Sequence, residues 1–421
     1  MKDKVIAYIK EYLLLFIDQS YKIELEIVNE NYVLNNTIET KIYEFWNKTK
    51  EELLEDFVDY SFKGDYIGTI FFFLSGYWEF INDQQKDNYG RFPGKDSFPY
   101  LKGVLEEPVV DILVNRIVEE LNLKFKDNEL KPKIFLTHDI DHLSMIKGLG
   151  FYTSIAADII KKKDIKTAIK KVRMKIKNID PHSVERLVII HKKYNTKGTY
   201  FFLPGFQKKS DRVGIGYDPK ANRKLINLYL DLIDSTSGNV GIHYDSGHLV
   251  FGVMEKCILK LQDVLNRKIQ YGRAHYLIFD IKKSFEIYEK NNFKIDTTGS
   301  YADKIGFRFG TSRPFKPFNF NSGSAYSFFE VPLIIMEGSL QGRKHMNLTP
   351  EEGLIKIREI MDKIEKYNGV FTFLWHNTSF FTKQWSDWES VYEETIKYGI
   401  KKGFVSVNAE DIINLYEVNN E

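Results

Sequence analysis

The ten residues KIFLTHDIDH, Lys133 to His142, decide how the rest of the chain is read. Ile134–Thr137 is a short apolar run bounded by polar residues, which suits a strand buried on both faces. It runs directly into His138, Asp139, Asp141 and His142. The same figure recurs downstream at Thr199–Leu203, Val240–His243, Tyr271–His275, Lys294–Asp296, Glu330–Ile335, Phe371–Trp375 and Phe404–Val407. Helical segments at Ser183–Tyr194, Asn222–Ser235, Glu255–Asn266, Lys282–Asn291 and Pro350–Tyr367 lie between these runs. The last of them opens well: Thr349 can cap, Pro350 suits the first helical position, and Glu352 completes a capping box. Strand–helix alternation at this spacing predicts a parallel sheet of the α/β class, and seven or eight units predict a (β/α)7-8 barrel.

Upstream, residues 1–130 read as a separate α+β region. Lys22–Val28 alternates like a strand, and Pro108–Leu123 reads as an amphipathic helix entered through a proline. Asn88–Tyr100, rich in Gly, Pro and Asp, reads as a long ordered loop. The polar stretch Lys126–Lys133 marks the expected boundary, with the barrel occupying 131–421. Ser144–Ile179 interrupts the barrel rhythm and is strongly basic. It reads either as a solvated helical insertion or as a cap making peripheral contact with an anionic membrane surface or glycan.

Composition narrows the classes. The chain has 421 residues, 43% hydrophobic and 28% charged, as expected of a globular protein with two or three domains. A net charge of +2 gives no overall bias toward polyanions, so no nucleic-acid partner is expected. One cysteine, Cys257, excludes an intramolecular disulfide framework and a cysteine-rich zinc site, and its apolar helical setting reads as packing. The 25 Tyr and 32 Phe fit an aromatic core first and a sugar-lined groove second. The apolar stretch Tyr12–Ile17 is closed by Lys10, Glu11 and Asp18, which leaves no signal-peptide core. Tyr66–Phe73 is too short to span a bilayer, and the expected location is cytoplasmic.

The chemistry lies at the strand ends. His138, Asp139, Asp141 and His142 follow the first strand, and His243, Asp245 and His248 follow the third. Arg273 and His275 lie on the fourth, Asp296 ends the fifth, and Trp375-His376-Asn377 ends the seventh. In a barrel these ends converge on one mouth. One of the two aspartates can bind a divalent cation while the other stays free as a base. His243, with His248, would complete an Asp/His/His set that leaves a place for water. Arg273 could hold the base ionised, and His376 could protonate the leaving group.

The segments THDID, GIHYDSGH, RAHY and LWHN, in this order, resemble the motifs of polysaccharide deacetylases, the NodB-homology or carbohydrate esterase family 4 group. The resemblance covers roughly residues 131–410 and is nearest to a branch with an extra N-terminal domain. It implies a distorted (β/α)7 barrel, zinc or a similar divalent ion as cofactor, and a carbohydrate substrate. It also implies Asp139 as catalytic base, Asp141 and His243 as metal ligands, and Arg273 as support for the base. The Tyr276 N–H would be an oxyanion donor and His376 the general acid. The sequence departs from the family pattern at His248, which follows His243 at i+5 where i+4 is usual. On a helix the extra residue would turn it about 100° away, so it binds only if Gly247 lets the loop turn. His275 stands where the family has proline and is either an alternative third ligand or a stacked structural residue, and it is counted with the substrate-binding candidates. His138 replaces an aromatic and reads as structural, and His142 either packs beside the metal aspartate or is solvated.

The glycine-rich loop Asp296–Phe315 offers Tyr301, Asp303, Phe307 and Arg308 as sugar contacts, and Trp375 offers an apolar wall for an acyl methyl. The expected activity is metal-dependent removal of an N-acetyl group from an amino sugar, in a glycan or a lipid- or nucleotide-linked precursor. Two other classes stay open: a glycan-binding protein with a degenerate site, and a metal-free glycosidase, which a chelator would not affect.

Overall fold

The computed structural model describes residues 1–147, 149–161, 163–205, 216–245, 247, 252–380, 384–385 and 387–417. Nine strands form its main sheet: β1 (Lys133–Ile140), β2 (Thr199–Phe202), β3 (Asn239–Tyr244), β4 (Tyr271–Ala274), β5 (Ile295–Asp296), β6 (Phe329–Glu330), β7 (Ile335–Met336), β8 (Val370–Leu374) and β9 (Val405–Val407). Their order is β6-β5-β4-β3-β2-β1-β8-β7, with β9 added to β1. Every pairing is parallel. All eight residues of β1 are buried, as a strand with helices over a curled sheet must be. β8 and β9 pair with the same residues of β1, Lys133–Phe135, so they occupy opposite edges.

The strand expected at Glu330–Ile335 is instead the passage 329–336, paired only at its ends. Val331 donates to the Asp296 carbonyl on the β5 side, and Ile334 donates to the Thr372 carbonyl on β8. Between them Pro332 has no N–H to give a ladder. This passage joins the two edges of the sheet and completes a distorted, barrel-like ring.

The N-terminal region contains α1 (Lys2–Leu14), α2 (Tyr66–Leu74), α3 (Tyr77–Ile81) and α4 (Val109–Glu120), with a three-stranded antiparallel sheet over 25–41. The apolar run at 66–73 is part of α2, whose residues from Ile67 to Leu74 are all buried. The region docks on the barrel through 300–318. Val110 donates to the Gly310 carbonyl at 2.8 Å. The buried Asp111 carboxylate accepts from Thr311 Oγ1 and Ser312 Oγ, each at 2.6 Å, and from Ser312 N–H. Glu79 on α3 receives a fork from Arg308, Nε at 3.0 Å and Nη2 at 2.5 Å, and the Tyr301 hydroxyl at 2.7 Å.

Around the sheet lie α5 (Leu149–Ile160), α6 (Ile165–Ile176), α7 (Glu185–Tyr194), α8 (Arg223–Asp234), α9 (Val253–Leu265), α10 (Ser284–Lys290), α11 (Glu337–Gln341), α12 (Pro350–Lys366), α13 (Glu389–Lys401) and α14 (Ala409–Tyr416). α12 starts with the expected capping box, Thr349 and Glu352 each bonding the other's backbone N–H. α9 buries Met254, Cys257, Ile258, Leu261 and Leu265 at helical spacing, so Cys257 is a packing residue. The basic insertion is the hairpin α5–α6. No helix among the described residues is long and apolar enough to cross a membrane.

The Glu79–Arg308 link sits at 7% and 3% side-chain exposure. Removing one partner of such a pair leaves a desolvated charge. Glu79→Ala should lower the unfolding free energy by about 3–5 kcal/mol in urea melts, whereas a loss below about 1 kcal/mol would show that Arg308 needs no counterion there.

Candidate functional site

Five parallel strands deliver their C-terminal ends to one place. β1 carries Asp139 within the strand and Asp141 one residue beyond it. β3 carries His243, and β4 carries Arg273 and passes into a tight turn at His275–Leu277. β8 leads to His376, and β7 leads to Glu337 at the start of α11. Asp139 and Asp141 are thus separated by the end of the strand, which lets both reach the same imidazoles.

His243 organises the centre. Its Nδ1 lies 2.9 Å from the Arg273 carbonyl. A carbonyl only accepts, so Nδ1 carries the proton and Nε2 turns toward the carboxylates. Nε2 is 3.5 Å from Asp139 Oδ2 and 3.4 Å from Asp141 Oδ1. His275 Nε2 is 3.8 Å from the same Asp141 oxygen, and its ring meets that of His243 edge-on at 4.9 Å. The donor atoms of Asp141, His243 and His275 all lie within 4.8 Å of one another. His243 Nε2, Asp139 Oδ1 and Asp141 Oδ1 are buried without hydrogen-bond partners among the described residues. Such a cluster needs positive charge between its atoms, from a proton or a metal ion. An oxygen with two imidazole nitrogens suits zinc or a similar divalent ion.

Protonation follows from the surroundings. Burial opposes the Asp141 charge, but the His243 contact and the charge of His376 hold its carboxyl well below the usual range. Burial, helped by His243, pushes His275 down to about 3, so its imidazole is neutral and can ligate. His376 goes the other way. Burial works against its charge, yet Glu337 beside it, with Asp141 and Asp139 beyond, raises it to about 10. Glu337 Oε1 accepts His376 Nδ1 at 2.7 Å, the His376 backbone N–H at 2.8 Å and Ser379 Oγ at 2.6 Å. His376 Nε2 then faces Asp139 Oδ2 at 3.9 Å and Asp141 Oδ2 at 3.8 Å.

Arg273 is fully buried, with Nε 3.8 Å from Asp139 Oδ1 and Nη2 donating to Thr137 and Thr297 hydroxyls at 2.9 and 3.2 Å. Its guanidinium lies over the Phe201 ring at 5.1 Å. A cavity of about 200 Å³ opens beside these groups, lined by Asp139, Asp141, His275, Tyr276 and His376, and by Arg91 from the N-terminal region. Arg91 Nη1 donates to the Tyr276 carbonyl at 2.9 Å, and Asp87 grips its Nε at 2.8 Å. Tyr276 and Leu277 both adopt left-handed backbone, φ 58° and 54°, a strained pair for residues with side chains. The Arg91 bond and the stacking of Tyr276 on His275 at 4.0 Å hold that turn.

Other expected residues lie elsewhere. Tyr301 and Arg308 are not sugar contacts at this cavity: both are buried and committed to Glu79. Phe307 is fully buried, and Asp303 accepts the Gly94 N–H at 2.9 Å. Trp375 is fully buried among Phe373, Phe380, Trp385 and Tyr392, so it is core and not an acyl wall. His138 bonds the Trp375 carbonyl and His191, a structural role. His142 is exposed and its ring stacks on His182 at 5.8 Å. Asp296 is fully buried and accepts from Tyr244 and Thr298. His248 lies outside the described residues. Two site residues escaped the sequence reading. Glu337 carried the same signal as the others, an acid just past a strand. Arg91 carried none, because its loop is 185 residues from Tyr276.

Residues 2–126 match the family model described as "Family of unknown function (DUF7033)". No curated protein matches the sequence. Among solved structures, the chain is similar to a protein designated a polysaccharide deacetylase from Mycobacterium smegmatis, at 15% identity and TM-score 0.44, over 68% of this chain and 90% of that one. It is also similar to Puue allantoinase, at 8% identity and TM-score 0.46, over 70% and 93%. A third similar structure, designated a polysaccharide deacetylase, is from Pseudomonas aeruginosa PAO1, at 10% identity and TM-score 0.43, over 69% and 91%. These are likenesses, and the chemistry of the site rests on the geometry above.

Proposed function

We propose that residues 131–421 form a carbohydrate deacetylase, which hydrolyses the N-acetyl group of an amino sugar in a glycan or glycan precursor with a divalent metal, zinc or similar. In this reading residues 1–130 form a separate unit that walls the cavity through Arg91. The observation that carries it is the grouping of Asp141, His243 and His275 within 4.8 Å beside a second carboxylate and a charged imidazole.

Asp141, His243 and His275 would hold the ion, which when bound polarises the amide carbonyl and makes water easier to deprotonate. Asp139 is the base: its Oδ1 lies 3.8 Å from Arg273 Nε, and it takes one proton from the water. The water oxygen adds to the amide carbon while the carbonyl electron pair moves onto its oxygen, with the Tyr276 N–H as the assigned donor to that oxygen. As the carbonyl re-forms, the C–N bond breaks and the nitrogen takes the Nε2 proton of His376. The acid so formed passes its proton to the amine, and acetate and the protonated amine leave. Asp139 has gained one proton and His376 has lost one, and their 3.9 Å separation lets the proton return between them.

Calorimetry on the metal-stripped protein should show near-stoichiometric zinc binding, abolished by His243→Ala and strongly weakened by His275→Ala. Unchanged affinity in the His275 variant would place the third ligand elsewhere. With chitooligosaccharides as probe, Asp139→Asn should keep its zinc and lose about 10²–10⁴-fold in acetate release; undiminished release would remove Asp139 as base. Glu337→Gln tests the acid. His376 keeps its proton through neutral pH chiefly because Glu337, ahead of Asp141 and Asp139, raises it to about 10, so the alkaline limb of kcat/KM should move to lower pH in the variant. An unmoved limb would mean another group protonates the amine.

A further inference from the structure

The α5–α6 hairpin carries the chain's most concentrated charge. Between residues 149 and 179 there are nine Lys or Arg against two Asp, in a chain whose formal net charge is only +2. The face of α6 turned to the protein is accounted for. Ala168 is buried, Lys171 pairs with the buried Asp158, and Lys175 donates to the Ile146 carbonyl at 2.7 Å. The outer face is not what solvent alone would select. Ile165, Ile169, Val172 and Ile176 are all exposed, and at 100° per residue they fall within about 60° of one another. Lys166, Lys170, Arg173 and Lys177 run down the adjacent flank, and with Ile169 and Met174 they border a groove of about 450 Å³. α5 adds the exposed apolar residues Tyr152, Ile159 and Ile160. At the hairpin tip Ile160 is 74% exposed and Ile165 is 60% exposed, with exposed Lys161 and Lys163 between them.

We propose that this hairpin is a docking surface for an anionic lipid bilayer. Its chemistry selects that occupant. A polyanionic glycan would answer the lysines but offers nothing to a row of isoleucines, whereas an anionic bilayer offers headgroup charge and acyl chains together. The placement agrees. The insertion that carries the hairpin begins at Ser144, three residues after Asp141 and at the end of β1 that carries the candidate centre, and its base is tied by Asp180 accepting the Met145 N–H at 2.9 Å. A docked hairpin would therefore hold the cavity near the interface, and a lipid-linked amino sugar would be delivered there; this last step rests on the deacetylase reading.

The test is co-sedimentation of the full-length, metal-stripped protein with vesicles of phosphatidylcholine alone or mixed equally with phosphatidylglycerol. Binding is expected to the mixed vesicles only, and to weaken with salt. The triple variant Lys166→Glu/Arg173→Glu/Lys177→Glu should lose roughly a hundredfold in vesicle affinity. Ile165→Ser/Ile169→Ser/Ile176→Ser should lose binding with an unchanged melting temperature, since these side chains are exposed. Failure to bind either vesicle, or equal binding by both variants, would overturn the proposal. So would a dimer in sedimentation velocity that the isoleucine variant dissociates, because the stripe would then be covered by a second copy. Asp139→Asn should bind vesicles like the unmutated protein, so a failed deacetylase assay and a failed docking assay are separate results.

Discussion

Everything in the site hangs on the register between β3 and β4, where His243 stands opposite Arg273. That pairing puts the Nδ1 of the one beside the carbonyl of the other, and the single hydrogen bond between them decides which nitrogen of His243 looks into the barrel. A slip of one residue would turn both side chains to the opposite face of the sheet. The parallel ladder forbids that slip, because each face is buried against something different: helices outside and polar groups at the mouth inside. The strand order then brings β1 close enough for Asp139 and Asp141 to meet the same ring.

Two opposed electrostatic settings share this small volume. His275 is kept neutral by burial and by its neighbour His243, while His376 is kept charged by Glu337. Ligation needs a lone pair and acid catalysis needs a proton, so in the proposed reaction two imidazoles lining one cavity would serve different purposes without differing in kind. The largest part of the His376 charge comes from one carboxylate. Glu337 is fully buried and bonded to the backbone, the ring and the Ser379 hydroxyl together, which leaves it little freedom to turn away.

What the sequence made legible was local. Apolar runs ending in His or Asp located the strands and the mouth, and the Thr349–Glu352 box placed the start of α12, because both signals lie within a few residues of what they determine. The strand expected at Glu330–Ile335 was spoiled by Pro332, a local signal that was present and underweighted. The errors at Tyr301 and Arg308 had a different origin. An arginine in a glycine-rich loop looks the same whether it serves a ligand or a neighbouring region, and its partner Glu79 lies 229 residues earlier. Arg91 was hidden for the same reason: its role depends on a contact across the fold.

The bond between Glu79 and Arg308 also constrains how such a protein can change over generations. An acid on α3 and a base on the barrel loop, each buried at the seam, are tolerable only together. Either half grafted onto a foreign partner would arrive with a solitary charge and nothing to neutralise it. Recombination that swaps the front of this chain against a different barrel should therefore be purged unless the break falls so that both residues travel as one, and the two halves are expected to descend as a linked pair.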